Sequence, residues 1–185
     1  MCPTPAAASS GTHDPVTLDG FEVLDACHRE TLAKLGELSV LVASLGDAEL
    51  DAASRASAAA IVRFFSTTSR QHHKDEELHV FPQLLASADP DVVQAVQRLR
   101  QDHGWLQEDW HELEPQLDAL ASGQAWVDRA VLREGVEIFA ALSRDHITLE
   151  ESFIYPQARA RMRDQARAEM GREMAARRRA RRGKT

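Results

Sequence analysis

Residues 71–82 read QHHKDEELHVFP and place three histidines and three carboxylates in twelve positions. A run of this kind is either the solvated face of a helix or part of a buried polar centre, and composition does not separate the two. Helical periodicity does, because it indicates which residues share a face. The run lies in a helix predicted over residues 51–86, whose seam, the line of core-facing residues, passes through Val62, Ser69, His73 and Glu77. We therefore expect His73 and Glu77 to face the core.

Three further segments repeat the period of three and four residues, over residues 19–45, 89–122 and 124–159. Nothing alternates with the period of a strand, so the pattern predicts an all-α fold. Asp89 followed by Pro90 is typical of a helix start, with the aspartate as cap and the proline at the first helical position. Short connections make neighbouring helices antiparallel, which predicts an up-down-up-down four-helix bundle.

The chain has 185 residues, of which 43% are hydrophobic, and this is enough for one core. We expect a disordered tail over residues 1–16, the bundle over residues 17–160 and a basic helical extension over residues 161–185. The net charge of -7 leaves the body acidic, which argues against a nucleic-acid partner for it, although the extension alone could bind an acidic one. A solvated, frayed helix is the simpler interpretation of the extension. The sequence identifies no protein partner.

Cysteine usage and the N-terminal residues bear on location. Cys2 and Cys27 are the only cysteines, so no disulfide framework is predicted. The first residues show neither the basic nor the apolar segment of a secretion signal, and no stretch approaches eighteen apolar residues. We expect a cytoplasmic protein that does not enter a membrane.

Each of the four seams carries one histidine: His28, His73, His103 and His146. A single histidine on an apolar face is more often an ordinary core residue than a ligand. Counted from the breaks between helices, however, all four fall within about two helical turns of one level, and His73 and His103 differ in height by roughly 3 Å. Four neutral imidazoles that meet in a dry core need partners, and a metal ion would supply them.

Two glutamates follow these histidines by four residues: Glu77 follows His73, and Glu150 follows His146. Each pair shares one helix face, about 40° apart around the axis. One such pair alone could be a simple hydrogen bond along the helix. Two pairs facing the core indicate glutamates that bridge two metal ions, and imidazole with carboxylate suits iron, manganese or zinc. The predicted ligands are His28, His73, Glu77, His103, His146 and Glu150.

A competing pattern is the Glu-x-x-His of the ferritin-like di-iron bundles, which occurs at Glu76 to His79 and at Glu108 to His111. Direction argues against it, because His79 lies about 120° from the seam of its helix and Glu108 about 140° from that of the next. By the same reasoning His72 lies about 100° from the seam and is predicted to be a supporting or solvated group, and His111 is predicted to lie at the seam margin.

Taken together, HHKDE, QDHGWL and HITLEE with one earlier histidine resemble the hemerythrin-like (HHE cation-binding) domain. The flanking ELHVFPQL, ESFIYPQA and GREMAARR are also similar to that family, and the resemblance covers about residues 17–180. It implies a four-helix bundle with a non-haem di-iron centre. It also implies that the six predicted ligands hold the irons and that the two glutamates bridge them.

Two positions depart from the oxygen carriers of this family. Those have a histidine four residues after the third-helix ligand, where this chain has Gln107. Their last carboxylate would fall at Glu151, but Glu150 lies closer in direction to His146, about 40° against about 140°. A more open metal position favours chemistry with peroxide or oxygen over simple reversible carriage, because a metal can activate what it binds.

We therefore expect a non-haem di-iron protein that binds or senses oxygen or an oxygen-derived species, with a diatomic molecule or peroxide as its ligand. Manganese or zinc in place of iron is an alternative. Two other functions are an enzyme that decomposes peroxide and an iron storage or delivery protein, for which Cys27 beside His28 is a hint of thiol chemistry. The remaining interpretation is a bundle with incidental histidines that acts through its basic extension.

Overall fold

The computed structural model describes residues 19–46, 50–124 and 126–182, and within these ranges helix is the only regular structure. The predicted all-α class is confirmed, and the predicted tail over residues 1–16 lies outside the described residues. The α-helices are α1 Gly20–Ala43, α2 Ala52–Arg63, α3 Arg70–His79, α4 Phe81–Leu85, α5 Pro90–Ala121, α6 Arg129–Leu149, α7 Tyr155–Arg161 and α8 Asp164–Arg182. None of the described helices is long and apolar enough to span a membrane.

An aspartate caps the N-terminus of each of four helices of the bundle. Asp19, Asp51, Asp89 and Asp128 each accept a hydrogen bond from a backbone N–H in the first turn of α1, α2, α5 and α6. The start predicted at Asp89 is confirmed. The fourth helix was predicted from residue 124 but begins at Arg129, because the side chain of Asp128 occupies the first free N–H groups there.

Four helices form a closed ring, in which α1 packs on α2, α2 on α5, α5 on α6 and α6 on α1. Two separate apolar clusters fill this ring. On α1 the first cluster contributes Leu35 and the second contributes Leu24, and His28 lies between them; on α5 His103 lies in the same way between Leu106 and Leu99. The ring therefore holds a polar layer sandwiched between two apolar ones.

Helix α8 packs along α1, so the expectation of a solvated and frayed extension is not met. Met170 and Met174 are buried within the second apolar cluster. Gly20 permits this approach, because a Cβ there would meet the side chain of Met170 at 2.4 Å. An ion pair of 2.8 Å between Arg177 and the buried Asp75 also ties α8 to α3.

Two of the four long helical segments of the ring, which we call rods, are interrupted by a π-helical segment beside the polar layer. Phe64–Ser69 joins α2 to α3, and Glu150–Ile154 joins α6 to α7. Residues five apart in an α-helix differ in direction by about 140°. The second segment reduces this difference, because the N–H of Tyr155 donates to the carbonyl of Glu150, five residues earlier. Glu150 and Tyr155 consequently face the same side of their rod, and both are buried.

Candidate metal centre

Five histidines and two glutamates bring ligand atoms together in the polar layer. They form overlapping groups in which the ligand atoms lie within 4.8 Å of one another. The groups are His28, His72, Glu76 and Glu150; His73, His103 and His146; and Glu76, Glu150, His103 and His146. The two glutamates therefore belong with both sets of histidines, as residues that bridge two ions would.

Five of the six ligands predicted from the sequence are in these groups, namely His28, His73, His103, His146 and Glu150. Glu77 is not, and the expectation that it faces the core is wrong, because its side chain is 45% exposed. Glu76 stands in its place and is fully buried. His72, which was predicted to point away from the seam, is 3% exposed and joins the first group.

The prediction chose the wrong buried face for one helical segment, the one that runs from α2 to α3. The buried residues run through Ile61, Phe65, Ser69, His72, Glu76 and Val80, in unbroken steps of three and four. The line chosen from the sequence passed instead from Val62 to Ser69 with a gap of seven before it reached His73 and Glu77. The continuous line through Phe65 is the signal that would have identified His72 and Glu76.

Carboxylates outside the groups bind the Nδ1 atoms of two histidines and face that of a third. Nδ1 of His103 lies 2.8 Å from Oε1 of Glu77, and Nδ1 of His28 lies 3.0 Å from Oε1 of Glu151. Nδ1 of His146 faces the buried Asp102 at 3.6 Å. A carboxylate on Nδ1 fixes the orientation of an imidazole and directs Nε2 towards a metal. Glu77 and Glu151 thus have supporting positions around the cluster.

The Nε2 atoms of these histidines do point at the shared glutamates. The Nε2 to carboxylate distances are 3.1 Å from His28 to Glu150, 3.2 Å from His146 to Glu150 and 3.5 Å from His103 to Glu76. Several of these buried atoms still lack a hydrogen bond of acceptable geometry to any described residue, including both nitrogens of His72 and both oxygens of Glu150. Buried donors and acceptors without partners are costly, so the cluster fits a pair of metal ions that all these atoms could bind.

Burial opposes the charged form of the cluster histidines, but neighbouring carboxylates outweigh it at three of them and raise the pKa of His28, of His103 and of His146, the last to about 10. A metal ion would displace a proton from these three imidazoles.

Burial lowers the pKa of His72 and His73 well below the usual range, and the neighbouring histidines add to the effect, so both imidazoles stay neutral and keep a lone pair. Burial raises the pKa of Glu76, and the charge of Glu150 raises it further. Burial would also raise the pKa of Glu150, but His146 and His28 hold it well below its usual range.

Tyr155 closes one side of the cluster. Its hydroxyl donates a hydrogen bond of 2.5 Å to Oε1 of Glu76 and lies 3.2 Å from Nε2 of His28, and its ring stacks on that of His28. Burial raises the pKa of Tyr155 well above its usual range, and the charges of Glu76 and Glu150 add to this, so the phenol keeps its proton. Tyr155 was not among the residues predicted from the sequence, because only the π-helical segment turns it towards Glu150.

A cavity of about 350 Å³ reaches all five histidines. Its outer lining consists of exposed residues of α3 and α5, including Lys74, Glu77, Gly104 and Gln107, which marks its mouth between these two helices. His73 is the one histidine of the cluster that is partly exposed. The cavity therefore connects the His73 side of the cluster with solvent, whereas Tyr155 covers the His28 side.

The other candidates lie away from the converging atoms. Of the Glu-x-x-His alternative, Glu76 enters the cluster, but His79 accepts a hydrogen bond from Arg177 outside it. Gln107 and His111 line the cavity, and His111 belongs to none of the ligand groups. Cys27 is buried, and burial raises the pKa of its thiol to about 12, so the thiol is protonated at neutral pH.

Comparison with known proteins agrees with the predicted resemblance. The sequence model of the Hemerythrin family, described as the hemerythrin HHE cation binding domain, matches residues 19–158. An uncharacterized protein of Haemophilus influenzae is 31% identical over 159 residues, which cover 85% of this chain and 89% of the relative. The family match covers the four rods of the ring and every residue of the buried histidine and glutamate cluster.

Proposed function

Because this chain belongs to the hemerythrin HHE cation-binding family, we propose that it holds two iron ions and binds or senses oxygen or an oxygen-derived species such as peroxide or nitric oxide. The observation that carries the proposal is the pair of fully buried glutamates, whose ligand atoms lie within 4.8 Å of those of His28 and His72 in one group and of His103 and His146 in another. In this proposal His28 and His72 serve one ion, His73, His103 and His146 serve the other, and Glu76 and Glu150 are shared.

Iron is the proposed metal because imidazole and carboxylate suit iron, manganese and zinc, and reaction with oxygen species calls for a redox-active ion. When bound, the two ions supply sites at which an oxygen species can be polarised, reduced or oxidised. Manganese and zinc are the other outcomes of a metal determination.

The chain's own residues orient the ligands and control access. Glu77 and Glu151 fix the imidazoles of His103 and His28 through Nδ1, so that Nε2 faces inward, and Asp102 faces Nδ1 of His146 at 3.6 Å. Tyr155 holds Oε1 of Glu76 with its hydroxyl and keeps a proton beside the centre. The two apolar clusters exclude water from above and below, so the cavity at His73 is the route of entry.

The test is purification without oxygen, determination of metal, and titration with oxygen and with peroxide while the optical spectrum is recorded. We expect two irons per chain and a ligand-to-metal charge-transfer absorption on oxidation. A protein produced with ample iron that contains less than one metal ion per chain would contradict the proposal.

A second candidate is an enzyme that decomposes peroxide at the same centre, and the solvent-connected cavity beside the partly exposed His73 favours it. Sustained oxygen evolution on addition of excess peroxide would indicate turnover, and one stoichiometric spectral change would indicate binding or sensing. Storage or delivery of iron by thiol chemistry loses its support, because Cys27 is buried and protonated.

A further inference from the structure

The cavity is larger than the proposed oxygen species need. Pockets that bind small organic molecules have volumes of about 300–1,000 Å³, and at about 350 Å³ this cavity falls within that range. A diatomic molecule or peroxide beside the histidines would leave most of it unfilled. The volume therefore suggests a second, larger occupant that meets the cluster from the solvent side.

The inner wall of the cavity is apolar and aromatic. Phe65, Leu106, Trp110, Phe139 and Ile147 contribute to it. The polar atom of the indole already has a partner, because Nε1 of Trp110 donates to Oγ of Ser66 at 3.0 Å. Such a wall gains free energy by covering the apolar body of a ligand.

The mouth of the cavity carries more positive than negative side chains. Arg70, Lys74 and Arg100 line it and are exposed, and none of the three forms an ion pair or hydrogen bond with another residue of the described ranges. Two acids also line the cavity: Glu77, whose pKa is lowered by its bond to His103 and by the charges of Arg100 and Lys74, and Glu114, which accepts a hydrogen bond from Ser66. Three cations against two carboxylates leave one net positive charge in the lining. The field at the mouth therefore favours an anion, and arginine is well suited to bind a carboxylate through two hydrogen bonds.

Gly104 borders the entrance. It lies within α5 and lines the cavity, and a Cβ at this position would meet no heavy atom within 4 Å. Glycine inside a helix costs about 1 kcal/mol relative to alanine. At this position the missing side chain leaves space directly above the cavity mouth.

We propose that this cavity binds a small organic carboxylate with an aromatic or apolar body, its carboxylate at Arg70 and Arg100 and its body against Trp110 and Phe139. The part of this molecule as a co-substrate or effector rests on the proposed function, but its binding does not, because the arginines and the apolar wall are separate from the ligand groups.

Binding can be measured through Trp110 in a protein in which the exposed Trp105 and Trp126 are replaced by phenylalanine. The probes are benzoate, its neutral analogue benzamide, and inorganic phosphate, each added to the zinc-loaded protein. We expect a saturable change in fluorescence with benzoate, and an affinity for benzamide and for phosphate at least about tenfold weaker. Equal affinity for benzamide would refute the anionic class, equal affinity for phosphate would refute the organic class, and no saturable change with benzoate would refute the site.

Variants at the mouth provide the second test. The double replacement Arg70→Gln and Arg100→Gln should weaken benzoate binding about tenfold, and Arg63→Gln, an exposed arginine outside the cavity lining, should leave it unchanged. Gly104→Leu should slow benzoate association about tenfold, whereas the control Gly104→Ala should not. If the arginine pair has no effect, the assigned anion site is wrong.

The metal content of each variant separates this proposal from the proposed function. Two metals without benzoate binding would overturn the carboxylate site and leave the metal centre standing. Benzoate binding to a protein that takes up no metal would do the reverse.

Discussion

The replacement Glu76→Gln tests the register of the metal centre, and Glu77→Gln is its matched control one residue away. Glu76 is fully buried, belongs to two ligand groups and accepts a hydrogen bond from Tyr155. Glu77 is partly exposed and touches only Nδ1 of His103. The same change of one atom should therefore act on a shared ligand in one case and on an outer support in the other.

The two variants should differ first in metal content. Loss of an outer hydrogen bond to a ligand histidine typically lowers metal affinity about 10- to 100-fold, which is about 1.4 to 2.8 kcal/mol. Glu77→Gln should therefore retain two ions when metal is abundant. Glu76→Gln removes a charge from both ions and should retain at most one. The reverse result would mean that the seam passes through Glu77 and that the observed register is wrong.

Thermal stability should respond with opposite signs in the two metal states. A metal present at 100 times its Kd stabilises the folded chain by about 2.7 kcal/mol, equivalent to about 5–11 °C in Tm for a chain of this size. Glu76→Gln should forfeit stabilisation of that order in the loaded protein. In the metal-free protein, where burial and Glu150 oppose the charge of Glu76, it should leave Tm unchanged or raise it. A fall in the metal-free Tm of several degrees would refute the claim that this carboxylate is retained for a metal.

Three further predictions concern the surroundings of the centre. Tyr155→Phe should keep two metals but weaken their affinity about tenfold, seen by chelator competition, because Glu76 loses its hydroxyl donor; unchanged affinity would contradict this. Met174→Ala should lower the free energy of unfolding by about 2–4 kcal/mol in urea titrations, while the exposed Arg172→Ala should change it by less than about 0.5 kcal/mol; equal effects would mean that α8 is not packed. In a Cys2→Ser background, Cys27 should not react with a thiol reagent at pH 8 until urea unfolds the chain, because the thiol is buried and its pKa is about 12; rapid reaction in the folded protein would refute its protected position.

The sequence predicts well which segments are helical and at what height along the bundle the histidines lie, because both depend only on the helical period and the rise per residue. The period of 3.6 residues and the rise of 1.5 Å per residue place His28, His103 and His146 at one height whatever their neighbours are. The cap at Asp89 is equally local. These predictions need no knowledge of how the helices rotate about their own axes.

Rotation is what the sequence leaves open. His72 and His73, or Glu76 and Glu77, differ by only 100° around the helix, and a seam wide enough for a core accepts either register. Tyr155 is harder still to predict, because the direction of its side chain depends on a π-helical segment that the local sequence pattern does not indicate. The packing of α8 was not predicted, because the many arginines of this segment indicate a solvated helix. Met170 and Met174 are four residues apart, a spacing that indicates one apolar face, and both are buried.

The two sides of the centre are unequal, and the inequality follows from single side chains. His28, His72, Glu76 and Glu150 are all buried, and Tyr155 stacks on the first of them. A small molecule that approached this group past Tyr155, and not through the cavity, would have to displace the phenol and its hydrogen bond to Glu76. On the other side His73 is partly exposed at the floor of the cavity, and the chain has Gln107, exposed at the mouth, where the oxygen carriers of the family have a histidine. Ligands are therefore expected to exchange with solvent at the His73 side. The shared glutamates, Glu76 and Glu150, would connect the metal ion on that side with the ion on the enclosed side.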